Sequence, residues 1–435
     1  MPSRLKVKVW KAQELPPDWV EIIRATDAKD SADLERKVKN VIRRVREQGD
    51  TGLINYARKF DGARLNAQNL KVTQKEIKSA YEKVSEEQVA ALKLMKEKLE
   101  YREKQALQQQ STATSREGIT VQTVLRPIES VGCYVPGGQA AYPSTLVMTA
   151  TPAKVAGASR IVVCSPAKKE GSINPLILVA ADLCGVDEVY KVGGAQAIAA
   201  LAYGTETIKP VKKIVGPGSR YVTAAKILVS KDVAIDMPAG PSEILVLADE
   251  TAKPQLIAAD MVSQAEHGAD SVAGLITTSK RLADEVLSWL ERLTASAERA
   301  DIVSEALSTY GFMITCESID EMVSLANAVA PEHLEIMTRN PKEIAGKITS
   351  AGLILIGQYS PVALSDYGSG TNHVLPTGGF GSAFSSLSVF DFMRRVNIVE
   401  SSKEGLAKLK NHVKVLTEAE KLPNHYKAVE ARFKK

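Results

Sequence analysis

Val131-Gly132-Cys133-Tyr134-Val135-Pro136-Gly137-Gly138 is the stretch on which the fold of this 435-residue chain turns. A short apolar run closed by Pro-Gly-Gly has the length of a buried strand, not of a helix. Downstream the pattern alternates: helix over residues 144–156, strand 160–164, helix 175–183, strand 188–192, helix 195–203, strand 213–215, helix 221–229 and a short strand 234–237. Brief Val/Ile/Leu-rich strands separated by helices indicate a parallel, doubly wound sheet. A second run of the same kind starts at Glu243-Ile244-Leu245-Val246-Leu247-Ala248-Asp249. It continues through a helix opening at Pro254, strand 273–277, helix 283–293, strand 312–315, helix 319–328 and strands 334–337 and 353–356. The expected fold is α/β, with two Rossmann-like but incomplete parallel-sheet domains, a helical N-terminal arm and a C-terminal tail.

Upstream, residues 1–26 are mixed and interrupted by Pro16-Pro17, which suits an arm more than a core element. An amphipathic helix covers 31–48 and ends at Gly49-Asp50. Thr73 with Glu76 and Ser85 with Gln88 are capping-box pairs, the second opening a long charged helix to about residue 109, with a strand at 119–125 beyond it. Residues 27–130 are grouped with 243–385 as a first α/β domain, and 131–242 form a second. The tail, 386–435, carries helical stretches at 405–416 and around 424–433. It buries too little to fold alone, so it is expected to pack on the body or on a second subunit.

Bulk properties remove several classes. A net charge of +5 spread over 56 basic and 51 acidic residues is too thin for a nucleic-acid surface. No apolar run approaches the roughly 20 residues of a membrane helix, and the N-terminus lacks the core of a signal peptide. Cys133, Cys164, Cys184 and Cys316 form no CxxC and read as reduced, buried thiols of a cytoplasmic protein. Cys133 stands beside a Gly-rich turn, but no neighbour that would lower its pKa is visible, so a packing role is favoured over a nucleophile.

Candidate chemistry concentrates in Met261-Val262-Ser263-Gln264-Ala265-Glu266-His267-Gly268. With Gly268 as the C′ residue, Gln264 and His267 fall on one face of a last helical turn. Such a pair can grip a cation or merely cap and solvate a helix end. Ala330-Pro331-Glu332-His333-Leu334-Glu335 places an acid and an imidazole at a strand mouth, as two proton acceptors or as an exposed cap. Asp366 lies in a Gly-rich loop, and His425 follows Glu420 in the tail; Gln264, His267, Asp366 and His425 form a mixed N/O set suited to Zn²⁺. His412, in a charged helix, reads as a solvated face residue. Pro136-Gly137-Gly138, Gly193-Gly194-Ala195-Gln196 and Gly216-Pro217-Gly218 lie between strands and helices, where backbone N–H groups can cradle phosphate, though none spells GxGxxG.

Taken together, and in this order, VGCYVPGG (131–138), VGGAQA (192–197), KIVGPG (213–218), MPAGPS (237–242), SQAEH (263–267), APEHLE (330–335) and DYGSGTNHVLP (366–376) resemble the histidinol dehydrogenases over nearly the whole chain. The resemblance implies a zinc-dependent enzyme that oxidises L-histidinol to L-histidine through the aldehyde while reducing two NAD. Carried over by position, it implies zinc ligands Gln264, His267, Asp366 and His425. It implies substrate contacts from Ser242, Gln264, His267, His333, Asp366, Glu420 and His425. Glu332 and His333 would be the proton acceptors, and Tyr134 and Gln196 would line the NAD site. It implies a homodimer whose tails cross into each other's sites. Ser219 stands where the family typically has Asn, and its hydroxyl cannot both donate and accept as an amide does. A two-domain binding protein and a zinc hydrolase using Glu332 are the rival readings. Neither would produce NADH absorbance on mixing with histidinol and NAD.

Overall fold

The computed structural model describes residues 5–24, 28–108, 112–137 and 141–434; Gly138 of the opening motif, like Gln109 at the expected end of the charged helix, lies outside the described residues. Its strands are, in chain order, β1 (Lys8–Lys11), β2 (Thr112–Arg116), β3 (Ile119–Pro127), β4 (Ser130–Tyr134), β5 (Arg160–Cys164), β6 (Glu188–Tyr190) and β7 (Lys213–Val215). Then follow β8 (Ala234–Ile235), β9 (Glu243–Ala248), β10 (Val272–Thr277), β11 (Phe312–Thr315), β12 (His333–Met337), β13 (Leu353–Ile356) and β14 (Met393–Ser401). They form a five-stranded sheet β6-β5-β4-β7-β8, a six-stranded sheet β1-β11-β10-β9-β12-β13 and a three-stranded sheet β14-β3-β2. The first two are parallel throughout, as the continuous apolar strands require for sheets covered on both faces.

Two features depart from the sequence reading. The expected arm supplies the edge strand β1, paired in parallel with β11, and buries Trp19 and Ile23 in the core of the six-stranded sheet. The helices of residues 28–108, grouped from sequence with 243–385, bury Val38, Val45, Leu53, Leu92 and Leu99 against the helices and strands of the five-stranded sheet instead. Their apolar stripes match the outer faces of helices already packed there, a match invisible along the chain. Within Ala28–Asp61 the backbone at Gly49 is non-helical (φ 53°), so two helices meet at a kink there, where the sequence reading ends the first of them.

The tail contributes β14, which pairs antiparallel with β3 along nine residues. Its helices, Lys403–Ala419 and Pro423–Ala431, bury only Gly405 and Thr417 between them. Val399, Val415, Leu416 and Leu422 remain exposed on this segment.

Candidate active site

A cleft of about 480 Å³ opens between the two parallel sheets, and the sheets present opposite ends to it. From the five-stranded sheet come Pro136 and Gly137 after β4, Pro217, Gly218 and Ser219 after β7, and Ala239 and Gly240 after β8. These are carboxyl ends, and β4 and β7 are the neighbours between which the strand order reverses, the usual ligand crevice of an open α/β sheet. From the six-stranded sheet come Ser242 before β9, Ser271 before β10 and Glu332-His333 at the start of β12, all amino ends. At that sheet's own carboxyl ends, Asp249 after β9 accepts from the N–H of Arg339 beyond β12 (2.7 Å) and from the Thr251 N–H (3.0 Å).

The cleft gathers Ser219, Ser242, Gln264, His267, Glu332, His333 and Asp366. Gln264 sits near the end of the helix Pro254–Ala265, 2 % exposed, and its amide has no hydrogen bond among the described residues. The helix stops there: Glu266 is its C-cap, the His267 N–H reaches the Gln264 carbonyl at 3.3 Å, and Gly268 does not take the left-handed backbone expected of a C′ glycine. The turn still delivers the His267 side chain to the cleft. Asp366 belongs to the helix Val362–Tyr367 and not to a free loop, so its carboxylate is placed by regular backbone.

Glu332 and Glu243 are locked reciprocally. The Glu243 N–H donates to Glu332 Oε2 (2.8 Å), and the Glu332 N–H donates to Glu243 Oε2 (3.3 Å). His333 Nδ1 lies 3.1 Å from the Glu243 carbonyl oxygen and 3.5 Å from Glu332 Oε2, while Nε2 is buried without a partner among the described residues. Burial alone would lower the His333 pKa, but the Glu332 charge and hydrogen bond, with Asp366 behind them, outweigh it and hold the imidazole above its usual value. Burial likewise pushes the Glu243 carboxyl up to about 7, the neighbouring Glu332 adding to it against the Gly378 N–H.

His373 is a site residue that the sequence reading left unassigned. Its Nδ1 is 3.7 Å from Asp366 Oδ1 and its Nε2 is 3.5 Å from Thr145 Oγ1, and it lines the same cleft. Its position at the end of a Gly-rich loop was the only signal available. The loop is pinned by Asn372, whose amide donates to the Met148 carbonyl (2.7 Å).

Four expected residues do not line the cleft. Tyr134 and Gln196 stand just behind its Gly-rich wall: the Tyr134 hydroxyl accepts from the Gly194 N–H (3.0 Å), its ring packs near Gly218, and Gln196 Nε2 is buried without a partner among the described residues. Glu420 and His425 are exposed on the tail and do not reach the cleft of their own chain. Among the described residues, no three His, Cys, Asp or Glu side chains form a closed metal cage. Cys133 is fully buried and its thiol is pushed up to about 12, so it packs and does not attack.

The wall formed by Gly216-Pro217-Gly218 is held from behind by a buried ion pair. Lys226 Nζ contacts Asp236 and donates to the Gly216 carbonyl (2.9 Å), while Asp236 Oδ2 accepts from the Gly216 N–H (2.7 Å). Gly216 has φ 116°, and a Cβ there would meet the Tyr134 carbonyl oxygen at 2.2 Å, so no other residue fits.

Comparison with known proteins agrees with this arrangement. The family model described as histidinol dehydrogenase matches residues 24–433. The chain is 46% identical to a histidinol dehydrogenase of Clostridium acetobutylicum over 96% of both chains. It is 48% identical to one of Caldanaerobacter subterraneus, covering 93% of this chain and 94% of that one. The crystal structure of histidinol dehydrogenase from Elizabethkingia anophelis superposes with a TM-score of 0.92 at 38% identity, covering 99% of this chain and 98% of that one. With a cleft of this composition and similarity along its whole length, the chain belongs to the histidinol dehydrogenase family of oxidoreductases.

Proposed function

We propose that this protein oxidises L-histidinol to L-histidine in two steps through L-histidinaldehyde, reducing two NAD and using one Zn²⁺ per subunit, as the last step of histidine synthesis in the cytoplasm. The observation that carries the reading is the preset pair Glu332–His333. With the Nδ1 proton engaged by the Glu243 carbonyl, neutral His333 offers bare Nε2 as a proton acceptor beside a carboxylate that lines the same cleft.

The residues present fit a zinc ion. Gln264, His267 and Asp366 line one cleft and bring together an amide oxygen, an imidazole nitrogen and a carboxylate, donor types that zinc accepts. These three donors would hold the metal together with His425 of a second copy, because His425 is exposed on its own chain. When bound, zinc supplies a fixed positive charge that orients a substrate amine and imidazole. For NAD, the fit rests on Gly137 and Gly218 at the reversal point of the five-stranded sheet, the N-terminus of the helix Arg220–Val229 and the unpartnered Gln196 Nε2. Tyr134 buttresses that wall, and the Ser219 side chain makes no capping bond, which leaves its hydroxyl for the cofactor in place of an amide. NAD supplies the hydride acceptor for both oxidations.

His333 Nε2 takes the alcohol proton as the carbinol C–H hydride leaves. Glu332 removes a proton from the water that adds to the aldehyde, while His333, protonated in the first oxidation, returns its proton to the aldehyde oxygen. His333, neutral again, then accepts a hydroxyl proton of the hydrate as the second hydride leaves. Ser242, Gln264, His267 and Asp366, with Glu420 and His425 from a partner tail, keep the aldehyde bound between the steps. The scantly buried tail with its exposed Val399, Val415, Leu416 and Leu422 supports a homodimer with shared sites. In this division of labour the five-stranded unit is the NAD side and the six-stranded unit the catalytic side. The test is histidinol-dependent NADH formation by purified protein. Two NADH per histidinol support the reading, and none sinks it.

A further inference from the structure

We propose that Glu243 is a positioning residue of this site: its buried carboxyl group bridges the Glu332 backbone, at the mouth of β12, to the Gly378 turn, and so sets where the Glu332 carboxylate stands. The register pairs Ile244 on β9 with His333 on β12, so Glu243 and Glu332 meet one residue ahead of that ladder. There side chains replace the strand bonds. The Glu332 carbonyl accepts from the Leu353 N–H of β13 (2.9 Å), but the Glu332 N–H donates to Glu243 Oε2 (3.3 Å). The other oxygen, Oε1, accepts from the Gly378 N–H (2.9 Å). Glu332 is 7 % exposed, and a buried N–H left without an acceptor is costly, so the carboxyl group is what keeps this backbone in place.

The junction reaches the cleft by three routes. Glu332 and His333 line it directly, Glu332 Oε2 accepting from the Glu243 N–H (2.8 Å) and His333 Nδ1 lying 3.1 Å from the Glu243 carbonyl oxygen. Thr377, next to Gly378, also lines it, and its Oγ1 accepts from the Gly240 N–H, which ties the turn to the segment crossing between the two sheets. Ser242, the residue before Glu243, lines it too. Glu243 itself does not line the cleft, so it acts through these neighbours and not on substrate. Two N–H donors from separate segments need two acceptor oxygens. A glutamine offers one, with its amide nitrogen facing the other N–H, and an alanine offers none.

The inference rests on the roles proposed above for Glu332 and His333, and its test separates the two ideas. Glu243→Ala and Glu243→Gln are made in the parent and in Glu332→Gln, and compared by histidinol kinetics and amide hydrogen exchange at a pH above the Glu243 value of about 7. Glu243→Ala is expected to lower kcat on the order of 10²-fold in the parent, the scale of a small misplacement, with a much smaller change in KM. In the Glu332→Gln background the same change should cost less than about tenfold, because the group being positioned is already gone. Glu243→Gln keeps one acceptor and should fall between the alanine variant and the parent. Exchange at the Glu332 and Gly378 amides should quicken about tenfold or more in Glu243→Ala. If Glu243→Ala fails to fold, Glu243→Gln carries the same cycle, with exchange quickened at one of the two amides. Parental kcat in a folded alanine variant, equal losses in the two backgrounds, or unchanged exchange at both amides overturns the inference. A parent without histidinol-dependent NAD reduction would remove the function instead, and exchange at Glu332 and Gly378 would still decide whether the tie exists.

Discussion

His333 Nδ1 stands 3.1 Å from the carbonyl oxygen of Glu243, and this contact selects the tautomer that leaves Nε2 bare. Only the neutral ring can take a proton, and the ring's pKa is held above the ordinary imidazole value despite burial, chiefly by Glu332. kcat/KM should therefore rise with pH through an inflection above about 6.5. Glu332→Gln removes the largest raising influence and should shift that inflection down. In single turnovers it should also slow histidine formation far more than aldehyde formation. An unmoved inflection, or equal loss at both steps, would remove both roles assigned to Glu332.

Glu243 gives a stability signature. Its carboxyl is shifted up to about 7 by burial, so folding favours the protonated form. That stabilisation is complete below the unfolded value near 4.5 and is lost as pH rises through about 7, on the order of 3 kcal/mol in all. Urea titrations should show the parent losing stability over this window relative to Glu243→Gln. Parallel profiles for the two proteins would contradict the shift.

Metal dependence follows from the donor set Gln264, His267 and Asp366 gathered in one cleft. Dialysis against chelator should abolish turnover and Zn²⁺ should restore it, whereas Gln264→Ala should bind zinc at least tenfold more weakly. Full activity in metal-free protein would contradict the ligand set.

Shared sites can be tested by complementation. His425→Ala and Gln264→Ala homodimers should each be inactive. If tails act across the dimer, random re-pairing of the two gives half heterodimers with one intact site each, about a quarter of parental activity. Zero recovery on verified re-pairing would place the tail in its own chain's site.

The buried Lys226–Asp236 pair holds both polar groups of Gly216. Lys226→Met strands a buried carboxylate and should cost about 3–5 kcal/mol in denaturant unfolding. Adding Asp236→Asn removes that charge but keeps an acceptor for the Gly216 N–H, and should recover most of the loss. A single variant within about 0.5 kcal/mol of the parent would show that the pair does not hold the turn.

The alternation of strand and helix was legible from residue 131 onward because parallel strands covered on both faces are continuously apolar and closed by Gly or Pro. Strands β5, β7, β11 and β13 fall on the expected residues, as do the capping pairs Thr73–Glu76 and Ser85–Gln88. The edge strands β1 and β14 were not legible. Both carry charged residues, Lys8–Lys11 being half exposed and Met393–Ser401 exposed after its first residue, and only their partners β11 and β3 make them strands.

The motifs, being local, named Glu332, His333, Gln264 and Asp366 from chemistry that a few adjacent residues can spell. Tertiary structure alone decided that carboxyl ends of one sheet face amino ends of the other. It also brought in His373 and Glu243. Those roles depend on contacts between residues 89 to 228 positions apart, and no periodicity along a chain encodes which buried polar groups will meet.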